Sequence, residues 1–175
     1  NDRYFVSSLG AGFDAAVSMQ TNKSILKKLL NKIHLGSLAY VGVLIRLLFT
    51  YKRTDVTVLL DQKKYSFQNV WFITVSNQAY YGGGMKIAPE AHTADGKFNV
   101  TVVHNLSRVK LLFVFGSVFY GTHTRFKEVK QYTCSEISIV SSSKIFVHAD
   151  GETMGNTPLY ASIEHKKLPI LSKDE

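Results

Sequence analysis

Apolar positions along the chain recur with two periods, and the switch between them near Thr54 divides the sequence. Ahead of the switch, Tyr4 to Ser8 predicts a short strand. Gly10, Gly12 and Asp14 predict a turn into a helix, with Asp14 available to cap its first turn. Asn22 is placed to cap a helix running to about His34, in which Ile25, Leu26, Leu29, Leu30 and Ile33 fall at helical spacing and Lys23, Lys27, Lys28 and Lys32 lie elsewhere. Gly36 ends that helix and Ser37 caps the next, Leu38 to about Tyr51. This second helix is apolar nearly all round and is expected to be buried on more than one side.

After Thr54 the alternation of strands takes over. Val56 to Leu60 and Tyr65 to Gln68 flank Asp61-Gln62-Lys63-Lys64, which is a hairpin signal. Val70 to Ser76 reads as a central, largely buried strand, and Phe98 to His104 as another beyond a long loop. Ser107 begins a helix carrying Val109, Leu111, Leu112, Val114, Phe115 and Val118, which Gly121-Thr122-His123-Thr124 breaks. Val129 to Cys134, Glu136 to Val140, Lys144 to Ala149, Pro158 to His165 and Leu168 to Leu171 predict closely spaced strands with turn residues between them. The expected fold class is α+β, a predominantly antiparallel β-sandwich with a few helical excursions.

Composition adds limits to this outline. With 45% hydrophobic and 19% charged residues over 175 positions, the sequence describes one globular domain with a sizeable core. Its single cysteine, Cys134, excludes an internal disulfide and cannot by itself form a zinc site, which fits a reducing cytoplasm. The longest nearly apolar segments, Leu38 to Thr50 and Leu111 to Tyr120, fall short of the roughly 20 residues that span a bilayer. A start at Asn1, with no leader pattern ahead of a strand, predicts a piece of a longer protein.

The net charge of +8 favours polyanionic partners such as an anionic membrane surface or nucleotide phosphates. Lys27, Lys28, Lys32, Arg46, Lys52 and Arg53 concentrate that charge, because no acidic residue lies between Gln20 and Asp55. A solvated helical face accounts for the same residues. No nucleic-acid partner is expected, since no recognition helix, zinc finger or stacking platform accompanies the charge.

Candidate chemistry gathers in two places. Ser76 to Val100 is a loop containing Gly82, Gly83 and Gly84, which can take positive φ and let another chain or ligand approach, followed by Pro89 and an Asp95-Gly96 turn. Tyr80 and Tyr81 stand beside the glycines. Asp150-Gly151-Glu152 follows a predicted strand, where two carboxylates can project together and divide proton transfer and metal binding between them. Read alone, each of these is also an ordinary turn signal. The six histidines form no pair at the spacing of a helical zinc site, Ser76 lacks the partners of a nucleophile, and His148 lies on the same strand face as Asp150.

Taken together, Gly10-Ala11-Gly12-Phe13-Asp14-Ala15, Leu35-Gly36-Ser37-Leu38-Ala39-Tyr40, the run GGGM-x-I-A-P-x-A-x3-DG-x-F-x-V and Asp150-Gly151-Glu152 resemble the C-terminal domain of the bacterial diacylglycerol kinases. That family includes sphingosine and ceramide kinases and is more distantly related to the NAD kinases. The resemblance implies a lipid kinase that uses ATP and Mg2+ and acts in phospholipid biosynthesis. It implies Asp150 as base and Glu152 in the magnesium–water network, and Asp14, Tyr81, Gly82, Gly83 and Gly84 at the lipid site. Asp95 would hold a structural magnesium, although an ordinary turn explains it equally. Where relatives use arginines toward phosphates, this sequence has Ile33, His34 and Ala39, leaving Lys28 and Lys32 as substitutes.

The family's Gly-Gly-Asp-Gly-Thr nucleotide loop is absent from these residues. The chain is therefore expected to be the lipid-binding half, partnered by an N-terminal nucleotide-binding domain of its own protein. It is expected to lie in the cytoplasm, peripheral to the inner face of the membrane. The competing expectations are an NAD-kinase-like domain and a non-catalytic β-sandwich that binds lipid or anionic membrane.

Overall fold

The computed structural model describes residues 3–23 and 36–165. Nine strands form one antiparallel sheet: β1 Ser8–Gly12, β2 Thr54–Leu60, β3 Lys63–Ser76, β4 Phe98–His104, β5 Val129–Cys134, β6 Glu136–Ser141, β7 Phe146–Ala149, β8 Glu152–Asn156 and β9 Leu159–Ser162. Among the described residues three α-helices accompany them, α1 Phe13–Lys23, α2 Gly36–Thr50 and α3 Arg108–Val118. The expected α+β class with a predominantly antiparallel sandwich is the class observed.

The main path of the sheet runs β8-β7-β1-β3-β2-β6-β9, with β4 on β3 and β5 on β4. Strand β3 is long enough to serve two neighbourhoods. Its first part pairs with β2, whereas residues 72–76 lie between β1 and β4. Between them Asn69 takes φ 50, and the register slips at Val70/Phe72. This irregularity re-aims the strand. Val70, Ile73 and Val75 enter the core within the sheet, while Trp71 turns to the helices. The two strands expected over this stretch are therefore one bent strand.

A second core lies between the sheet and the helices. Phe13, Ala16 and Val17 of α1, Leu44, Leu47 and Leu48 of α2, and Leu111 and Val114 of α3 surround the fully buried Trp71. The indole N–H donates to the Leu106 carbonyl at 2.9 Å, which satisfies the one polar atom that burial would otherwise strand. Ser107 caps α3 as expected, accepting from the Lys110 N–H.

Several expectations need correction. The first strand is Ser8–Gly12 and not Tyr4 to Ser8. All five of its residues are buried, Leu9 and Ala11 in the core within the sheet and Gly10 and Gly12 against Asp14, His148 and Trp71, so it shows no alternation. It runs directly into α1, and Asp14 sits inside the first helical turn without serving as its N-cap. Asn22 lies in the last turn of α1, where its Nδ2 donates to the Gly151 carbonyl. The rest of the helix expected over 22–34 lies outside the described residues, as do Lys28, Lys32 and the strand expected over 168–171. Over residues 42–50 α2 buries Leu44, Leu47 and Leu48 and leaves Ile45 49% and Phe49 65% exposed. Finally, β8 was not anticipated, since Glu152-Thr153-Met154-Gly155-Asn156 carries no apolar alternation.

Candidate lipid groove and carboxylate sites

An apolar groove opens where α1, α2 and α3 meet the start of the glycine loop. Val17, Leu44, Leu48, Phe72, Met85, Ile87, Leu111, Val114 and Phe115 are among its lining, with Tyr81 at one wall. Among the described residues the only charged side chain lining it is Asp14. The groove's enclosed volume is about 70 Å³, room for a few methylene groups against an apolar wall, with Asp14 as the hydrogen-bonding group.

Asp14 is held on both oxygens. Oδ1 accepts from the Ala15 N–H at 2.8 Å, and Oδ2 lies 3.2 Å from His148 Nε2. His148 comes from β7, which pairs with β1, so strand pairing places the imidazole behind Gly10 opposite the first turn of α1. A Cβ at position 10 would overlap both Asp14 Oδ2 and His148 Nε2. Glycine is required there for space. The Tyr81 ring meets His148 edge-on, centroids 6.4 Å apart. Burial works against an imidazolium at His148, but the hydrogen bond and charge of Asp14, with Asp150 adding, outweigh it and hold the pKa above the ordinary histidine value. Burial and then Asp14 push the Tyr51 phenol well up.

Asp150 and Glu152 do not line the groove. Asp150 and Gly151 form the two-residue turn of the β7–β8 hairpin, with φ 47 and 84. The Asp150 carboxylate accepts three backbone N–H groups: Oδ2 from Val6 at 2.7 Å, Oδ1 from Ser7 and Ser8 at 2.9 Å each. On the other side of the turn, Ser18 Oγ and Asn22 Nδ2 of α1 donate to the Gly151 carbonyl at 3.1 and 3.3 Å. The turn is thus pinned to both the entering segment and α1. Glu152 is exposed at the first position of β8.

The remaining candidates are separate from one another. Gly82, Gly83 and Gly84 form an exposed helical turn bridged by Tyr81 and Met85; positive φ at Gly83 and Gly84 explains two of them, and no described atom crowds any of the three. They stand next to the groove without lining it. Tyr80 is exposed, with Lys86 Nζ 5.9 Å from its ring centroid. Asp95 is exposed and closes its own turn, accepting from the Lys97 N–H at 2.9 Å.

Among the described residues no group of three or more His, Cys, Asp or Glu is placed to hold a metal ion. Asp95 or Glu152 can each give one carboxylate to a hard cation, whose other ligands would be backbone, water or nucleotide oxygens.

The structure brings Asp14 and Tyr81, both expected from the resemblance, to one groove, and gives His148 the partner in Asp14 that the sequence had not defined. The buried His123 was also missed. It bridges α3's end to the glycine loop through Ile87 O at 3.0 Å, and burial lowers its pKa. No helix among the described residues is long and apolar enough to cross a membrane.

Comparison with known proteins agrees with this fold. The family described as the YegS C-terminal NAD kinase beta sandwich-like domain matches residues 7–172. YtlR of Bacillus subtilis strain 168, provisionally named a lipid kinase, is 32% identical over 167 residues, covering 95% of this chain and 54% of the relative. A diacylglycerol kinase of Mycobacterium tuberculosis H37Rv is 26% identical over 170 residues, covering 97% and 52%. A Bacillus anthracis crystal structure provisionally named a diacylglycerol kinase superposes with a TM-score of 0.66 at 19% identity, covering 92% of this chain and 50% of that one. The chain spans about half the length of the curated relatives it matches.

Proposed function

We propose that this chain, which belongs to the family of YegS C-terminal NAD kinase beta sandwich-like domains, is the lipid-binding half of an ATP-dependent kinase acting on a diacylglycerol-like lipid. The observation that carries the proposal is the apolar groove whose one charged lining group is Asp14. Acyl chain fills the groove, Tyr81 and the loop of Gly82, Gly83 and Gly84 border its entrance, and the lipid hydroxyl is directed toward the carboxylates. An N-terminal nucleotide-binding domain of the same protein supplies the phosphate-binding loop. Turnover therefore requires the complete protein, because the reacting groups must be brought together.

In the reaction, the lipid oxygen forms a bond to the γ-phosphorus as the bond to the bridging oxygen of ATP breaks, and ADP leaves. Asp150 is the proposed acceptor of the hydroxyl proton. Its three backbone hydrogen bonds mean that at least one must be exchanged as the proton arrives. Glu152 is proposed to orient water toward a magnesium ion brought in with the nucleotide, which would supply charge neutralisation for the transferred group. The basic balance of the chain supports peripheral contact with an anionic membrane at the cytoplasmic face. Exposed Phe113 and Phe49 suit the same contact.

One observation favours a second reading. Asp150 is engaged by backbone and does not line the groove, as expected of a lipid-binding module without catalysis. The two readings separate when the complete protein is given ATP and a panel of diacylglycerol, ceramide and sphingosine. Phosphate transfer to one of them supports the kinase. Lipid binding without transfer to any supports the binding module.

A further inference from the structure

The groove described above contains one charged group, and that group is aligned by a residue the reaction itself does not call on. We propose that His148 is the positioning residue of the lipid site: it holds the Asp14 carboxylate at the groove wall so that Asp14 accepts a hydrogen bond from the free hydroxyl of a lipid alcohol as it binds, the proton passing to Asp150 only in the transfer step. The proposal rests on reading the groove as a lipid site.

Four observations lead to it. His148 is 8% exposed, and its Nε2 is 3.2 Å from Oδ2 of the part-buried Asp14. Position 10 is bare, and any side chain there would displace the pair. The imidazole is fixed from a second side by the Tyr81 ring, which itself lines the groove. His148 Nδ1, by contrast, is buried with no hydrogen-bond partner, so the ring is oriented by what Nε2 does.

An arrangement serving packing alone would not look like this. Burying a carboxylate and an imidazole costs desolvation that apolar side chains of similar size avoid, and removing an internal ion pair in favour of such residues is often neutral or stabilising. Asp14 is also anchored on Oδ1 by the Ala15 N–H. Both oxygens are thus fixed in direction, and the part-buried carboxylate is presented to the groove that Asp14 helps to line.

The chemistry of that presentation selects. A carboxylate accepts hydrogen bonds and donates none, so a hydroxyl is attracted, whereas an ester in the same place offers only lone pairs and leaves Asp14 facing like charge density. The substrate class is therefore a lipid with a free hydroxyl near its apolar body. A fully esterified lipid of the same shape is rejected.

The test uses the complete protein and two probes, a short-chain diacylglycerol and the same molecule with its hydroxyl acetylated, with affinity measured by titration calorimetry. The parent should bind the free-hydroxyl probe roughly tenfold or more tightly than the acetylated one. His148→Ala should bring the two affinities to within about twofold while affinity for the acetylated probe persists. His148→Gln, whose amide N–H can replace the Nε2 donor, should restore most of the preference.

If His148→Ala and His148→Gln both discriminate as the parent does, the positioning role is overturned while the lipid reading stands. A parent that binds neither probe sinks the lipid reading itself. Should thermal melts show His148→Ala unfolded, Asp14→Asn and His148→Gln decide: a preference surviving Asp14→Asn overturns the proposal, and its loss with retention in His148→Gln supports it.

Discussion

Two turns of the same shape close two hairpins of this sheet, Asp61-Gln62 between β2 and β3 and Asp150-Gly151 between β7 and β8. Both pairs take positive φ, 41 and 72 in the first and 47 and 84 in the second, as two-residue hairpins of right-twisted strands require. Both aspartates also bind neighbouring backbone. Asp61 Oδ1 accepts the N–H groups of Ser135 and Glu136 at 2.9 Å each, while Asp150 accepts those of Val6, Ser7 and Ser8. What differs is the company each keeps. Beside Asp61 is the Cys134 thiol, whose pKa is pushed up to about 12 by burial and then by Asp61. Beside Asp150 are His148 and, through it, Asp14 and the groove. An aspartate clamping amides from a hairpin turn is thus a structural device this fold uses twice, and surroundings are what make one of the two a candidate for chemistry.

The strongest way to break the comparison is kinetic. In the complete protein, Asp150→Asn should lower turnover by roughly 10² to 10⁴, and Asp61→Asn should stay within a few-fold of the parent. Steady-state phosphorylation of diacylglycerol reads both; equal, small effects would return Asp150 to the same standing as Asp61. Stability should not separate the two. Asp61→Ala and Asp150→Ala each remove a charged acceptor of backbone N–H groups, and each should cost roughly 1–3 kcal/mol in chemical denaturation.

A third turn, Asp95-Gly96, sharpens the contrast because Asp95 closes only its own turn. If Asp95 also binds magnesium, adding the ion should raise the melting temperature, by about 1–2 kcal/mol of linkage, and Asp95→Ala should abolish the rise. Asp61→Ala should leave the magnesium response intact.

Smaller again is a pH effect confined to the Asp150 side. The groups facing His148 are Asp14 from α1, Asp150 from the turn and the Tyr81 ring from the loop. A histidine pKa raised on folding contributes stability that is fully present below the unfolded value, about 6.5, and is lost as pH rises through the folded value. The melting temperature of the parent relative to His148→Gln should accordingly be higher at about pH 6 than at about pH 9. No such difference is expected between the parent and Asp61→Asn. The smallest effect is at Gln62, a non-glycine residue at φ 72 where the other turn has Gly151. Gln62→Gly should stabilise by up to about 1 kcal/mol, read as a shift in denaturation midpoint.

Elements with their own periodicity were legible in the sequence: β4 and β5 have the expected limits, and Ser107 caps α3. Elements whose character comes from their neighbours were not. The strand β1 is buried on both faces, by the core within the sheet and by Asp14, His148 and Trp71, so its residues carry no alternation, and β8 is a polar strand that exists because β7 pairs with it. The apolar faces of α2 and α3 gave no sign of which side would lie open. Asp14 and Tyr81 were named together by the resemblance and meet at one groove, while the histidine beside Asp14 stands 134 positions away and is delivered by the pairing of β1 with β7. Local patterns do not encode that meeting.

Gly10 gives that meeting a genetic consequence. A scan of all single substitutions would ordinarily score a glycine by its backbone freedom, and Gly10 is not among the residues with positive φ. Its intolerance should instead resemble that of the carboxylate it accommodates. Alanine, the smallest change available, would act at a distance as a double lesion at Asp14 and His148. Reversion would be expected from variants that shorten residue 148, and these would recover folding without recovering the choice of ligand. Position 10 would then be read from a list of survivors as a specificity position, although it contributes no side chain to the site.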